Sequence, residues 1–476
     1  MRINMEKKNT WETYSSKQLK ELEKINAQYR DFLDNGKTER ECIDTIVNTI
    51  EKSGYRELES LIKEGAALKT GDKVYSVWMN KSIAMFQIGR KPMTEGMNIL
   101  GAHIDSPRLD VKQNPLYEDG GFAYLDTHYY GGVKKYQWVT IPLAIHGVIV
   151  KKDGTCVEIN IGENEDDPVF FVSDLLIHLA QEQLEKKAAK VIEGEALDII
   201  VGNKPLLIDK KDKKKDEKEA GKEAVKAGVL DILKETYDIS EEDFVSAELE
   251  IVPAGKAREA GFDRSMILAY GQDDRVCAYT SMQAMLDSDV TDRTMCCILV
   301  DKEEIGSVGA TGMQSHFFEN AVAEVMNLTG EYSELHVRRC LAHSCMLSSD
   351  VSSAFDPTYA SSFDKKNVAY LGGGMVINKF TGARGKSGSN DANAEYLAHL
   401  RHIFDKAEVN FQTAELGKVD LGGGGTIAYI LALYGMNVID SGVAVLNMHA
   451  PWEATSKADV YETYRGYKAF VEGASL

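Results

Sequence analysis

The 476-residue sequence lacks the features of disulfide-bonded, secreted or membrane-spanning chains. Its seven cysteines are odd in number and include no C-x-x-C pair, which argues against a disulfide framework and a thiolate zinc site. No run of about 18 apolar residues is present to span a membrane. The N-terminal stretch MRINMEKKNTWETYSSKQLKELEK has no apolar signal core. We therefore expect reduced thiols and a cytoplasmic location.

An excess of positive charge is also missing, because 74 Asp and Glu outnumber 55 Lys and Arg and give a formal charge of −19. Nucleic acids and anionic membranes require a basic surface, so the sequence argues against both as partners. Two glycine clusters, at 371–375 and 421–426, match neither G-x-G-x-x-G after a strand nor G-x-x-x-x-G-K-[ST]. We interpret them as tight turns near a site, which disfavours a nucleotide-binding protein.

The composition is ordinary for a globular protein, with 43% hydrophobic residues and a mean hydropathy of −0.28. The length exceeds that of a usual single core and predicts two domains. Apolar residues recur every three or four positions over 11–65, which predicts helices. Short β-like runs follow at 73–79, 82–89 and 97–105.

The middle of the chain has a different character. Residues 138–162 predict a β-hairpin that turns at Lys152-Asp153-Gly154. A helix is expected over 173–187, and the charged run 209–228 predicts a solvated loop. After about 256, apolar strand and helix patterns alternate, with a helix expected over 309–326. This alternation indicates an α/β architecture with a largely parallel sheet flanked by helices.

Five segments share one pattern, in which a short apolar run is followed by acids or a histidine. In an open α/β sheet, ligands bind outside the carboxyl ends of the strands, so these groups could converge in one crevice. Any one of them alone is more often a cap or a loop residue. The segments are MNILGAHID with His103 and Asp105, MILAYGQDD with Asp273 and Asp274, CCILVDKEE with Glu303 and Glu304, HSCMLSSD with Asp350, and GVAVLNMHA with His449.

His103 and Asp105 are two residues apart, so their side chains would share one face if the strand continues. The carboxylate could then accept a hydrogen bond from the imidazole nitrogen that does not bind metal, which would fix the ring. An ordinary surface His–Asp pair is the alternative.

Two histidines and several carboxylates suit zinc, cobalt or manganese. Two divalent ions carry four positive charges, which three carboxylates and one hydroxide balance. One bridging carboxylate, with a histidine and a further carboxylate for each ion, satisfies this count and gives a hydrolytic two-metal site. One glutamate of the Glu303–Glu304 pair would bind metal while the other takes a proton from water. The pleat of a strand would direct the two side chains opposite ways unless the backbone bends.

These residues resemble the aspartyl aminopeptidase / aminopeptidase I family of dinuclear-zinc metallopeptidases, in a bacterial-type member. The motifs GAHIDSPRLDVK, DKEEIGSVG, SSDVSSAFDP and NMHAPWEATSKAD carry the resemblance, which covers nearly the whole chain. It implies a catalytic domain over 1–114 and 256–476, interrupted by a β-rich dimerisation domain over 115–255. It also implies peptide substrates with a free N-terminus and a tetrahedral dodecamer built from dimers.

The resemblance also implies a role for each site residue. Asp273 would bridge two zinc ions, Glu303 would be the general base and acid, and Asp105 would orient His103. A histidine of the dimerisation domain, here His178 in DLLIHLA, would reach the partner subunit's active site, although the same segment could be a buried helix face. The implied metal ligands are His103, Asp273, Glu304, Asp350 and His449.

Several positions depart from the family pattern. Asp274 in QDD stands where the family commonly has asparagine, and Ser353 and Asp356 stand where the aspartyl-specific branch has a second histidine pattern. Asn378 occupies the position of a lysine in that branch, and Lys379 comes one residue later. A preference for acidic, neutral or basic N-terminal residues is therefore equally open.

A metal-dependent aminopeptidase is the leading hypothesis from the sequence. A dinuclear amidohydrolase or deacylase acting on a non-peptide amide would use the same metal chemistry. A scaffold protein with a relict site is a third possibility, which the presence of all five ligand residues disfavours.

Overall fold

The computed structural model describes residues 9–206 and 223–475. Elements are numbered in chain order. The described helices are α1 (Ser16–Asn35), α2 (Glu39–Glu51), α3 (Leu58–Glu64), α4 (Gln181–Leu184), α5 (Ala188–Val191), α6 (Ala224–Tyr237), α7 (Gln272–Leu286), α8 (Phe317–Leu328), α9 (Glu334–His343), α10 (Ala394–Lys406), α11 (Ala428–Ala432) and α12 (Lys457–Gly473).

The described strands complete the set. They are β1 (Arg56–Glu57), β2 (Lys73–Trp78), β3 (Ser82–Gln87), β4 (Met97–His103), β5 (Arg108–Asp119), β6 (Phe122–Tyr130), β7 (Leu143–Val150), β8 (Cys156–Ile161), β9 (Ile199–Gly202), β10 (Ala247–Pro253), β11 (Arg258–Ala260), β12 (Met266–Ala269), β13 (Thr294–Val300), β14 (Cys345–Ser349), β15 (Ser352–Ser353), β16 (Met375–Asn378), β17 (Phe411–Thr413), β18 (Asn437–Gly442), β19 (Ala444–Leu446) and β20 (Glu453–Ser456).

The described residues fall into two compact units. The second unit begins at Pro107, not at 115 as expected from the sequence, and its main segment ends at Lys256. The reason is that β5 is one continuous strand, paired with β6 on one side and β10 on the other, and a boundary at 115 would cut it. The first unit holds the described residues of Met1–Ser106, Ala257–Met448 and Trp452–Leu476, and the second those of Pro107–Lys256 and His449–Pro451.

A nine-stranded mixed sheet organises the first unit, in the order β1-β2-β3-β13-β4-β14-β18-β16-β17. The adjacent strands β13, β4, β14 and β18 all run parallel. Antiparallel pairing occurs between β2 and β3, β3 and β13, and β16 and β18. The predicted fold class, a mixed and largely parallel α/β sheet flanked by helices, is confirmed.

The apolar run CCILV in β13 is continuous because the sheet is buried on both faces. Cys297 and Leu299 join a hydrophobic cluster that includes residues of α1, α2, α7, α10 and α12. Cys296 and Ile298 point the opposite way and join a second cluster with α3, α8, α9 and α11. Polar side chains that serve a site must therefore lie at the strand ends.

The helical N-terminal region predicted from the sequence is confirmed as α1, α2 and α3. Capping boxes begin the first two helices: Ser15 caps α1 together with Gln18, and Thr38 caps α2 together with Glu41. A smaller sheet in the same unit has the order β11-β12-β20-β19-β15.

The second unit contains a six-stranded antiparallel sheet in the order β8-β7-β10-β5-β6-β9. The predicted hairpin is confirmed, since β7 and β8 pair from Ile145–Ile161 to Val150–Cys156. Gly154 in its turn has a φ of 87°, which favours glycine.

Three expectations about helices and loops need correction. The helix predicted over 173–187 is only a 3-10 turn at Ile177–Leu179 followed by the four-residue α4. Its leucines and its isoleucine are exposed, so no packed face stabilises a longer helix. The helix predicted from 309 begins only at Phe317.

The prediction of a charged loop over 209–228 is wrong for its last residues. Residues 209–222 lie outside the described residues, but α6 begins at Ala224. Val225 and Val229, one helical turn apart, both face Gly202 of β9, so apolar packing overrides the charged composition. In the part of the chain that is described, no helix is both long and apolar enough to cross a membrane.

Candidate metal centre

The carboxyl ends of adjacent parallel strands bring several predicted site residues to one edge of the sheet. Val300 of β13 is aligned with His103 of β4, so both strands end level. Glu303 and Glu304 follow β13, and Asp350 follows β14, the parallel neighbour of β4 on its other side. This arrangement matches the strand-end pattern from which the site was predicted.

The His103 ring lies between carboxylates. Its Nδ1 is 3.0 Å from the Asp105 carbonyl oxygen and 3.2 Å from Asp105 Oδ1. Both are acceptors, so Nδ1 carries a proton. On the other side, Nε2 is 3.3 Å from Asp273 Oδ1 and 3.8 Å from Glu303 Oε2. Burial lowers the pKa of His103, but the hydrogen bonds with Asp105 and Asp273 and the charge of Glu303 raise it well above its ordinary value. The surroundings therefore favour positive charge at this point.

Ligand-type atoms gather in three overlapping groups, and within each group these atoms lie within 4.8 Å of one another. Four of the five predicted metal ligands belong to them. The groups are His103, Asp273 and Glu304; His103, Glu303 and Asp350; and Asp273, Asp274 and Asp350.

The donor set fits a divalent metal. Burial raises the pKa of Asp350 well above its ordinary value, and the charges of Asp274, Glu303 and Asp273 raise it further. Burial and the charge of Asp273 likewise raise the pKa of Asp274. Several carboxylates at such distances repel one another, and a cation among them relieves the repulsion. Imidazole nitrogen with carboxylate oxygen is a donor set that zinc accepts.

Asp105 holds the Glu303–Glu304 pair as well as His103. Its Oδ1 accepts a hydrogen bond from Glu303 N at 3.1 Å, and its Oδ2 accepts one from Glu304 N at 3.1 Å. The strand pleat does not separate the two glutamates, because the backbone bends: β13 ends at Val300 and the pair lies in a 3-10 turn, Glu303–Ile305. One buried carboxylate thus fixes both the ring and the turn.

The turn is closed by a second acid. Asp301 Oδ2 accepts a hydrogen bond from Thr311 Oγ1 at 2.6 Å and lies 3.2 Å from Lys302 Nζ. Burial, with the charges of Glu39 and Asp105, raises the pKa of Asp301 to about 6. The hydrogen bond between Asp301 and Thr311 thus joins the two ends of the segment that contains Glu303 and Glu304.

Asp273 and Asp274 lie in the first turn of α7 and differ in their contacts. Asp274 Oδ2 accepts a hydrogen bond from His103 N at 3.4 Å, whereas Asp273 Oδ1 faces His103 Nε2. The peptide bond between the two aspartates is cis. Asp273 is thus the one directed at the ring nitrogen that can bind metal.

The other two histidines of the predicted site, His449 and His178, lie in the second unit. His449 Nδ1 is 2.9 Å from the Gly132 carbonyl oxygen, so Nδ1 donates and Nε2 carries the lone pair. Among the described residues, the three ligand groups do not include His449. His178 lies in the 3-10 turn Ile177–Leu179 and is exposed, so the alternative of a buried helix face is wrong.

The positions that depart from the family pattern have structural contacts of their own. Asp356 Oδ1 accepts a hydrogen bond from Thr358 N at 2.8 Å and caps the 3-10 helix Pro357–Ser362. Asn378 is buried, and its Nδ2 donates to the Ala414 carbonyl oxygen at 3.0 Å. Lys379 Nζ lies 3.4 Å from Asp391 Oδ1. Ser353 is in β15.

The structure adds residues that sequence reasoning missed. Ser106 Oγ donates to the Asp273 carbonyl oxygen at 2.6 Å, and Glu453 Oε2 accepts from Asp273 N at 3.0 Å. Both lie inside quoted motifs, GAHIDSPR and PWEATSKAD, but neither has a spacing that indicates its partner. Only the fold brings them to Asp273.

Comparisons with known proteins identify the family. The family model for aminopeptidase I zinc metalloproteases (M18) matches residues 32–471. A protein of Clostridium acetobutylicum, named a probable M18 family aminopeptidase 1, is 63% identical over 466 residues, covering 98% of each chain.

Solved structures agree. The crystal structure of an M18 aminopeptidase from Thermotoga maritima has a TM-score of 0.91 at 44% identity, covering 99% of this chain and 100% of that one. The crystal structure of aminopeptidase I from C. acetobutylicum has a TM-score of 0.88 at 60% identity, covering 98% and 99%. The S. cerevisiae mApe1 dodecamer shares the fold, with a TM-score of 0.74 at 20% identity over 94% of this chain and 96% of that one.

The predicted family and enzyme class are therefore confirmed, and the enzyme is a hydrolase of peptide bonds. The family's description as zinc metalloproteases supports zinc as the metal. The chain belongs to the M18 family of aminopeptidase I zinc metalloproteases and is a metal-dependent aminopeptidase of the bacterial type.

Proposed function

We propose that the chain removes N-terminal amino acids from peptides with two divalent ions per subunit. The proposed ligands are His103, Asp273, Glu304, Asp350 and His449, with Asp273 as the bridge. The observation that carries the proposal is the overlap of the three ligand groups, because His103, Asp273 and Asp350 each occur in two of them. Overlap of this kind suits two ions that share a carboxylate, the role proposed for Asp273. The donor set also accepts cobalt or manganese in place of zinc.

Glu303 is the proposed general base and acid. Two zinc ions, when bound, supply positive charge that acidifies water and stabilises the developing oxyanion. Glu303 Oε2 takes the proton of the attacking water and delivers it to the leaving amine. Its side chain is 15% exposed, so it can reach both the buried ring of His103 and an incoming substrate. Asp105 holds His103 Nδ1, which leaves Nε2 for metal.

A substrate panel tests the proposal. Chelator-treated protein should be inactive, and zinc, cobalt or manganese should restore hydrolysis of aminoacyl anilides with acidic, neutral or basic side chains. N-acyl amino acids should not be cleaved, because they lack the free amine. Cleavage of N-acyl amino acids in preference to aminoacyl anilides would instead favour a deacylase.

We also propose that the chain forms dimers, and that these dimers assemble into a tetrahedral dodecamer. In the dimer, His178 would reach the active site of the partner subunit. Support comes from an exposed apolar segment, the 169–184 surface. A patch of this kind is typical of a protein interface. Its exposed members are Val169, Phe171, Leu175, Leu176, Ile177, Leu179 and Leu184.

A cytoplasmic location is proposed from the cysteines. All seven are free thiols, and six of them are buried. Free thiols persist in reducing compartments. Cell fractionation that recovers the protein outside the cytoplasm would contradict this location.

A further inference from the structure

The backbone of Asp273 is held from both sides by side chains. Its N–H donates to Glu453 Oε2 at 3.0 Å, and its carbonyl oxygen accepts from Ser106 Oγ at 2.6 Å. All three residues are buried, with Asp273 at 3% exposure and Glu453 at 1%. With both backbone groups engaged in this way, the side-chain direction of Asp273 is set by its neighbours.

Glu453 is itself firmly located. It opens β20 and is paired with Ala269, the last residue of β12 and four positions before Asp273. Gln272 Nε2 donates to the Glu453 carbonyl oxygen at 2.6 Å, and Tyr29 OH donates to Gln272 Oε1 at 3.2 Å. A buried chain of hydrogen bonds therefore runs from α1 to the residue that holds Asp273.

The segment between β12 and Asp273 leaves little freedom. Gly271 has a φ of 68°, in the left-handed region. A Cβ at this position would lie 2.0 Å from Arg275 Nη1 and 3.0 Å from Ser106 Oγ. The sharp turn at Gly271 thus delivers Asp273 directly to Glu453 and Ser106.

We propose that Glu453 is a positioning residue of the metal centre, which fixes Asp273 through its backbone N–H and adds negative charge beside it. A glutamine would accept the same hydrogen bond, so what the carboxylate contributes in addition is charge, which favours cations. The inference rests on the proposed function, because it takes Asp273 to be a metal ligand. It assigns Glu453 no contact with substrate.

Metal binding to chelator-stripped protein tests this role without relying on turnover. Cobalt(II) would be titrated into wild type, Glu453→Gln and Glu453→Ala, and its affinity and absorption spectrum recorded. Loss of a residue that orients a ligand typically weakens metal binding or activity about 10- to 100-fold. We expect Glu453→Ala to fall in this range with an altered spectrum, and Glu453→Gln to lie between it and wild type because it keeps an acceptor.

Glu462 offers a matched control. It is fully buried in the same unit, and its Oε2 accepts a backbone hydrogen bond from Asn410 N at 2.7 Å, as Glu453 does from Asp273. Glu462→Gln should lower thermal stability without changing the cobalt affinity or spectrum. If Glu453→Ala fails to fold, Glu453→Gln carries the test.

The outcomes separate this inference from the proposed function. The inference would be overturned if folded Glu453→Gln, and Glu453→Ala where it folds, bound cobalt with wild-type affinity and spectrum. The proposed function would still stand in that case, provided that the wild-type protein binds two ions. Wild-type protein that binds no metal would overturn both. An equal spectral change in Glu462→Gln would also overturn the inference, because the effect would then be one of general stability.

Discussion

Glu303 and Glu304 are neighbours in sequence with different surroundings. Glu303 Oε2 lies 3.8 Å from His103 Nε2. Glu303 shares a ligand group with His103 and Asp350, whereas Glu304 shares one with His103 and Asp273. Their backbone N–H groups bind the two oxygens of one carboxylate, that of Asp105. The pair is therefore held at its backbone while the two side chains are available for separate tasks.

Replacing Glu303 with glutamine should remove proton transfer and leave the metal ligands in place. General acid–base catalysis is typically worth ~10²–10⁴ in rate, and kcat should fall by about that factor. Metal content should stay at the wild-type level and substrate affinity should change little. Metal analysis beside steady-state kinetics checks this.

The Glu304→Gln variant should fail in a different way. It removes a charged oxygen from the group with His103 and Asp273, so one ion should bind more weakly and excess metal should restore part of the activity. Loss of metal from Glu303→Gln but not from Glu304→Gln would mean that the two roles are exchanged.

At the level of elements, the turn after β13 depends on Asp105. Asparagine at this position has one acceptor oxygen and cannot accept from His103, Glu303 and Glu304 in the same way. Asp105→Asn should weaken metal binding or activity roughly 10- to 100-fold. Asp459→Asn is the control, since Asp459 is a buried carboxylate that accepts from Gly372 N and Gly374 N. Equal losses of metal affinity in both variants would contradict the role of Asp105.

Metal removal should make stability depend on pH. Burial, together with neighbouring carboxylates, raises the pKa of Asp274 and Asp350 in the folded protein, so the folded state holds protons that the unfolded state has released. Their contribution to stability is present below the unfolded carboxyl pKa and is lost as pH rises toward the raised value. The Tm of chelator-stripped protein should therefore fall as pH rises above the unfolded carboxyl pKa of about 4, and more steeply than that of metal-loaded protein. Parallel Tm curves would contradict this.

The strand-end motifs could be predicted from the sequence because each follows a buried apolar run, and His103, Asp105, Glu303 and Asp350 lie where those runs end. The geometry of the turn after β13 could not be predicted from the sequence. Local spacing does not reveal that Lys302 has a φ of 70°, or that Asp105 accepts hydrogen bonds from both glutamate N–H groups. Glu453 is 180 positions from Asp273, and only the pairing of β12 with β20 brings them together. The extent of β5 was also missed, because one of its two partners, β10, is distant in the sequence.

On the scale of the whole molecule, the proposed self-association concerns the 169–184 surface. Residues on it such as Ile177 and Leu179 are 67% and 68% exposed in the single chain, which is costly in water. A second copy that covers this surface would also bring His178 toward a partner.

Mixing two inactive variants tests completion in trans. His178→Ala and His449→Ala chains, unfolded and refolded together, should regain part of the wild-type activity, because some sites then receive an intact copy of each histidine. Refolding each variant alone is the control. No recovery in verified mixed dimers would contradict a shared site.

The central claim is that the strand-end cluster holds two divalent ions, and metal content is its most direct test. Elemental analysis of fully active protein after extensive dialysis, with active-site concentration measured in the same sample, should give two ions per chain. One ion, or none, in fully active protein would contradict the account.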